Sequence, residues 1–393
     1  MSSEKLDLAE VKKEVCEYID SIAPDLVEIS HAIHSKPELG YEEHFAHNCL
    51  TEALLQKGLE VEKGAYELET AFEAKAGSSG PVIALLCEYD ALPGIGHACG
   101  HNIIAAAGIG AGLASSRHAE TLNGQLRILG TPAEEGGGGK VRMLNSGAFD
   151  SVDAALMIHP ADADLPNISS LAVQQLRATY TGKAAHAAAA PEKGINALDG
   201  AVLGYVGVAA LRQHISPDER LHGIFIDGGQ KANIVPERAE SVWYARSSTV
   251  DRLEVLKDRL VETLKGGANS AGCEVEIEWI NEPYAEVLDN EPILSAYMKN
   301  SSSIGRNIYP ADNNEVVGST DLGNVSQIIP SIHPMVKAAP TGTAIHTVDF
   351  EKYCNQTEAD VAVIDSAKSL AMTVLDCWAD PDLLNNAKEF FAS

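Results

Sequence analysis

Basic residues are scarce in this chain. Of 393 residues only 29 are Lys or Arg, against 56 Asp or Glu, for a formal net charge of -27. That imbalance argues against nucleic acid or an anionic membrane surface as partner, and a well-solvated acidic surface accounts for it. Long apolar runs are missing too, none approaching the ~20 residues that a membrane span requires. The stretch Met1 to Glu10 is polar and acidic, with neither the apolar core of a signal peptide nor an Arg-rich transit pattern. Evenly paired cysteines are lacking: there are seven, at positions 16, 49, 87, 99, 273, 354 and 377, widely spaced. They read as reduced thiols of a cytoplasmic protein. No internal repeat is present. The one low-complexity tract, Gly136 to Gly139, lacks the Lys-Ser/Thr spacing of a phosphate loop and reads as backbone room beside Glu135.

What is present fits a soluble enzyme. A hydrophobic share of 45% with 22% charged residues is typical of globular proteins, and 393 residues exceed one ordinary core, which predicts two domains. Helical spacing runs from Asp7 to His34, with a break expected at Pro24, and again from His44 to Lys57. Val82 to Cys87 is a continuous apolar run of the kind buried on both faces of a sheet. An Ala- and Gly-rich helix from about Asn102 to Ser115 follows, then a strand at Gln125 to Leu129, a short helix near Lys140 to Ser146 and a strand at Ala154 to Ile158. This alternation predicts an α/β domain with a mainly parallel sheet, its active site at the carboxyl ends of the strands. From Leu171 the order becomes β-α-β-β-α-β: strands at Leu171 to Thr181, Leu221 to Asp227, Ala239 to Arg246 and Glu274 to Ile280, with helices at Gly194 to His214 and Val250 to Gly266. That order predicts an inserted ferredoxin-like α+β domain. The expected division is 1–170 and 289–393 for the catalytic domain and 171–288 for the insertion.

Two short strings carry the chemistry. His97-Ala98-Cys99-Gly100-His101-Asn102 sets a thiol and an imidazole two residues apart, and Pro132-Ala133-Glu134-Glu135 sets two carboxylates just past a strand. Thiolate, imidazole and carboxylate are the ligand set of zinc and similar divalent ions. A second carboxylate beside a metal ligand is what activation of a water requires. Local sequence does not tell Glu134 from Glu135. Taken alone, His159 reads as a core histidine after Leu156-Met157-Ile158, and His186 as a solvated loop residue.

Four more ordered segments accompany these: His34-Ser35-Lys36-Pro37-Glu38-Leu39, Glu88-Tyr89-Asp90-Ala91-Leu92-Pro93, His186 in Gly182 to Ala187, and Ala344-Ile345-His346-Thr347. Over nearly its whole length the chain resembles the two-metal peptidase and amidohydrolase family that includes aminoacylase, carboxypeptidase G, auxin-conjugate hydrolases and aminobenzoyl-glutamate hydrolase. The resemblance implies Cys99, His101, Glu135, His159 and His346 as ligands of two divalent ions per subunit, zinc first, with manganese or cobalt as alternatives. It implies Glu134 as general base, Asp90 as the group orienting a ligand imidazole, and His186 as an oxyanion donor reaching the partner subunit of a homodimer. Asn233 and Arg246 resemble positions that bind substrate near its carboxylate; a turn residue and a strand-end surface charge are the plain readings. The inserted domain would serve as lid and dimerisation module.

The sequence departs from many relatives at Asn102, where they carry Asp, at Glu88-Tyr89, and at Gly318 to Ser326. These departures are most similar to the subgroup of aminobenzoyl-glutamate hydrolase and the animal β-alanyl dipeptidases. The expected activity is hydrolysis of the amide bond of a dipeptide or an N-acyl (aminobenzoyl-type) amino acid. Non-peptide amides or carbamates on the same metal site are the alternative, and a non-catalytic ligand-binding relative is the other.

Overall fold

The computed structural model describes residues 7–309 and 317–392, so the first six residues of the polar N-terminal stretch lie outside the described residues. Asp7 caps helix α1 (Leu8–His34) by accepting from Ala9 N, and Val11, Val15, Ile19, Ile22 and Leu26 form its buried stripe at helical spacing. The break expected at Pro24 does not occur: the helix runs through Pro24, which lies on its exposed face. Next come α2 (His44–Gln56) and two strands that hydropathy alone did not reveal, β1 (Glu60–Lys63) and β2 (Phe72–Ala76). Strand β3 (Val82–Cys87) is buried at every position, followed by α3 (His101–Ser116), β4 (Gln125–Gly130), α4 (Gly139–Asn145), β5 (Ala154–Leu156), β6 (His159–Ala161) and the two-residue β7 (Ser169–Ser170).

After β7 the chain forms β8 (Ala172–Thr181), α5 (Ala197–Leu211), β9 (Arg220–Asp227), β10 (Arg238–Ser247), α6 (Val250–Ala271) and β11 (Glu274–Tyr284). It ends with α7 (Glu291–Ser303), β12 (Val317–Gly318), α8 (Leu322–Ser326), β13 (Ser331–Ile332), β14 (Met335–Lys337), α9 (Val348–Tyr353), α10 (Thr357–Ala379) and α11 (Pro381–Phe391). The contacts divide it into two compact units, one built from the segments up to Ser169 and from Val287 on, the other from Ser170 to Glu286.

The first unit is mixed α/β. Its main sheet runs β1-β2-β4-β3-β5-β13; β3, β4, β5 and β13 are parallel, and β1 and β2 join antiparallel at one edge. Helix α3 is buried on all sides, packed against β3, α1 and α10. Its small residues allow that approach: a Cβ on Gly112 would lie 2.3 Å from Ile128 Cδ1. The carboxyl ends of β3, β4 and β5 therefore open onto one place, and the segments beyond them carry Glu88 to His101, Glu134-Glu135 and His159.

The second unit is an antiparallel sheet in the order β11-β8-β10-β9, with α5 against α6 and both on the sheet. Leu176, Tyr180, Trp243, Leu253, Leu260 and Leu264 are among its buried core. Strand β9 is an edge, and Ile224, Phe225 and Ile226 on it are exposed at 66%, 40% and 56%. Among the described residues no helix is long and apolar enough to cross a membrane.

Candidate metal centre

Gly100, at φ 75°, ends the loop after β3 and begins α3, which sets Cys99 and His101 on either side of a tight turn. Cys99 Sγ lies 3.3 Å from His159 Nε2 and 3.2 Å from His346 Nε2. His346 Nε2 is 3.5 Å from Glu135 Oε1, which is 4.0 Å from His101 Nε2; Glu134 Oε2 is 3.9 Å from the same nitrogen. Two donor triads, Cys99-His101-His159 and Cys99-Glu135-His346, thus share one sulfur, each with its donor atoms within 4.8 Å of one another. The five sequence-predicted ligands converge.

The surroundings orient these donors. Asp90 Oδ1 meets His101 Nδ1 at 3.0 Å, and its other oxygen accepts from Glu135 N at 2.9 Å, so one carboxylate fixes an imidazole and the adjoining loop. Burial is the largest influence and opposes the charge on Asp90, but the hydrogen bond and charge of His101, the Glu135 N–H and Lys140 together outweigh it and hold Asp90 below the usual carboxylate range. His159 Nδ1 donates to Pro160 O at 2.7 Å, which turns Nε2 toward the sulfur. Two non-glycine residues at the site hold positive φ, Ala133 at 58° and His346 at 62°, strain that is kept where surrounding contacts over-determine the backbone.

The donor set suits cations. His101 Nε2 and Glu135 Oε1 are buried without a hydrogen-bond partner. Burial, then the charge of Glu135, pushes the Cys99 thiol up, while burial, then His101, lowers His159 to about 4. Burial, then Glu88 and Glu135, raises Glu134. Positive charge placed among these groups would reverse that disfavour.

Residues 84–365 match the model of peptidase family M20/M25/M40. The chain belongs to that family. It is 38% identical over 411 residues to the Xaa-Arg dipeptidase of Mus musculus, covering 99% of this chain and 94% of that protein. It is 28% identical over 456 residues to a p-aminobenzoyl-glutamate hydrolase polypeptide of Escherichia coli, covering 97% and 95%. A dinuclear metal-binding peptidase of family M20 from Bacillus subtilis has a similar structure, with TM-score 0.69 and 20% identity over 91% of this chain and 99% of that one. This M20 chain is a hydrolase of peptide or amide bonds.

Residues that sequence reasoning did not assign stand beside the candidate ligands of this M20 chain. Glu88 Oε2 is 3.4 Å from His101 Nε2, and fully buried Lys140 bridges Glu88 and Asp321. Burial alone would lower Lys140; the charges of Asp321 and Glu88 overcome it and hold the ammonium above its ordinary range. His333 packs edge-on against His159 at 5.4 Å, both its ring nitrogens buried and without a hydrogen-bond partner. The available signals were the unusual Glu88-Tyr89 and Gly318 to Ser326 segments, and a lysine directly after four glycines. Asn102, the remaining departure, ties α3 to its neighbours by donating to Ser30 Oγ at 2.8 Å and Cys354 O at 2.9 Å.

Within the second unit, Ala187 N donates to Asn233 O, and His186 bridges Ile234, so His186 and Asn233 lie on two paired loop segments. His186 is exposed, and its Nδ1 accepts from Ala188 N and Ala189 N, both at 3.2 Å. The proton is thereby placed on Nε2, which becomes a donor. Arg246 is half-buried on β10, with its guanidinium 5.4 Å from the Tyr244 ring centroid, and burial lowers its pKa.

Proposed function

We propose that this chain hydrolyses dipeptides on a centre of two divalent ions, held by Cys99, His101, Glu135, His159 and His346, with Glu134 as general base. The observation that carries the reading is the pair of donor triads sharing Cys99 Sγ. Two ions in that set, zinc by the softness of its donors, would polarise a substrate carbonyl and lower the pKa of water beside it. Glu134 is outside the two triads that share the sulfur, though its carboxylate also lies within 4.8 Å of His101 and Glu135; as the base it accepts a proton and returns it to the leaving amine. Asp90 holds His101 and the Glu135 loop in place.

The unit from Ser170 to Glu286 is read as a ferredoxin-like lid and dimerisation module. Its exposed apolar edge β9 supports pairing with a second copy. His186 Nε2–H then stabilises the oxyanion in the partner's site, and Asn233 with Arg246 binds the substrate carboxylate, for which a guanidinium has matching geometry. Seven unpaired cysteines fit the reducing cytoplasm. For substrate, the named activity of the mouse relative and the formal charge of -27 both favour a dipeptide with a basic residue.

A panel of dipeptides ending in Arg, Lys, Ala or Glu, together with aminobenzoyl-glutamate, tests this with metal-depleted and reconstituted enzyme. Chelation should abolish turnover, zinc, manganese or cobalt should restore it, and the Arg and Lys dipeptides should turn over fastest. Full activity in chelator would overturn the metal reading, and preference for aminobenzoyl-glutamate would overturn the substrate.

A further inference from the structure

A second charged cluster lies behind the metal centre. Glu88 follows β3, Lys140 is the second residue of α4, and Asp321 immediately precedes α8; all three side chains are fully buried. Lys140 Nζ is 2.5 Å from Glu88 Oε1 and 2.6 Å from Asp321 Oδ1, and Lys140 N donates to Asp321 Oδ2 at 2.8 Å. One oxygen each from Glu88, Glu134 and Asp321 lie within 4.8 Å of one another. Neither Glu88 oxygen makes a well-directed hydrogen bond, so its contact with Lys140 is one between charges.

Three carboxylate oxygens at that spacing are hard donors with the reach to hold a divalent ion. The cation found among them is the ammonium of Lys140. A general base must keep a lone pair for the proton it takes, and a carboxylate coordinated to an ion has lost that freedom. Segments far apart in sequence, after β3 and before α8, meet through this one lysine.

We propose that Lys140 is the resident cation of a third carboxylate cluster, holding Glu88 and Asp321 and keeping out a divalent ion that would capture Glu134. The inference rests on the two-ion hydrolase reading above. Lys140 is a positioning residue in this role, since it acts through the carboxylates it holds.

Metal content per folded chain separates this role from plain structural support. Wild type and Lys140→Met, each saturated with manganese and freed of excess, are compared by elemental analysis and by steady-state kinetics. Wild type should hold two ions per chain and Lys140→Met three, with kcat down ~10²-fold, the scale of a lost general base, and KM nearly unchanged. A folded Lys140→Met with two ions overturns the inference and leaves the two-ion reading standing. A wild type with no bound ion overturns both. The double variant Lys140→Met/Asp321→Asn removes one carboxylate along with the cation. It should fold, hold two ions and turn over at least ~10-fold faster than the single variant, or regain the fold if the single variant loses it. A double variant that is unfolded, or as inactive as a folded single, would show that Lys140 is needed for itself and would overturn the proposal.

Discussion

Glu134 and Glu135 are neighbours in sequence, both reach His101 Nε2, and differ in their other partners. Glu135 joins Cys99 and His346 in a triad, while Glu134 faces His101 from 3.9 Å and shares a cluster with Glu88 and Asp321. Changing each to Gln keeps shape and removes charge, so the two variants should fail differently. Glu134→Gln should lose ~10²–10⁴-fold in kcat, the range of general acid–base catalysis, with metal content unchanged. Glu135→Gln should lose bound metal as well as rate. Parallel elemental analysis and kinetics check this, and equal metal loss in both would mean the roles are misassigned. At this scale the sequence was legible where chemistry is local: Cys99 and His101 stand two residues apart, and Glu134-Glu135 are adjacent. His159 and His346 became legible only by resemblance, since each is lone in sequence and is drawn in by folding. Lys140 and Asp321 are 181 residues apart, and no local pattern tells a buried lysine that it has two partners.

Among elements, the apolar runs and helical stripes marked β3, α1 and α3, because burial on both faces or on one face leaves a period in the residues. Strands β1 and β2 left none: Glu60–Lys63 is exposed or half-buried throughout, and sheet pairing with β4 holds Phe72–Ala76 in place. The glycine run before α4 was read as backbone room, and its packing gives that a physical measure. A Cβ on Gly139 would stand 1.7 Å from Pro132 O, so the loop carrying Glu134 and Glu135 folds back against the start of the helix carrying Lys140. Gly139→Ala should therefore cost about 1–3 kcal/mol, as overpacking does, and should lower activity by moving these groups. Gly266 in α6 offers the contrast, exposed with nothing within 4 Å of an added Cβ. Gly266→Ala should stabilise by about 0.5–1 kcal/mol through lost unfolded-state freedom. Urea denaturation of both variants checks the pair, and a neutral Gly139→Ala would refute the tight-turn account.

At the scale of the whole molecule, the question is whether one chain suffices for catalysis. Both donor triads lie within the first unit, and none of their residues comes from the second. His186 lies in the second, exposed, with Nδ1 occupied by two backbone donors and Nε2–H left to donate outward. On the dimer reading that donor serves a neighbouring chain. His186→Ala should then lose ~10²–10³-fold in kcat, as when one oxyanion donor is removed, while keeping metal and fold. Mixing it with Glu134→Gln protomers is the decisive test. Each parent lacks one of the two groups at every site, so each keeps only its reduced rate. If His186 acts across the interface, the heterodimer has one site with both residues intact and another with neither, and activity should return in part. If it acts within its own chain, each site of the heterodimer lacks one group and nothing returns. Exchange of protomers is verified first by differential tagging and sequential affinity capture, so that silence can be read. An active monomer, or a captured heterodimer without recovery, would rule out a shared site and return His186 to its own chain.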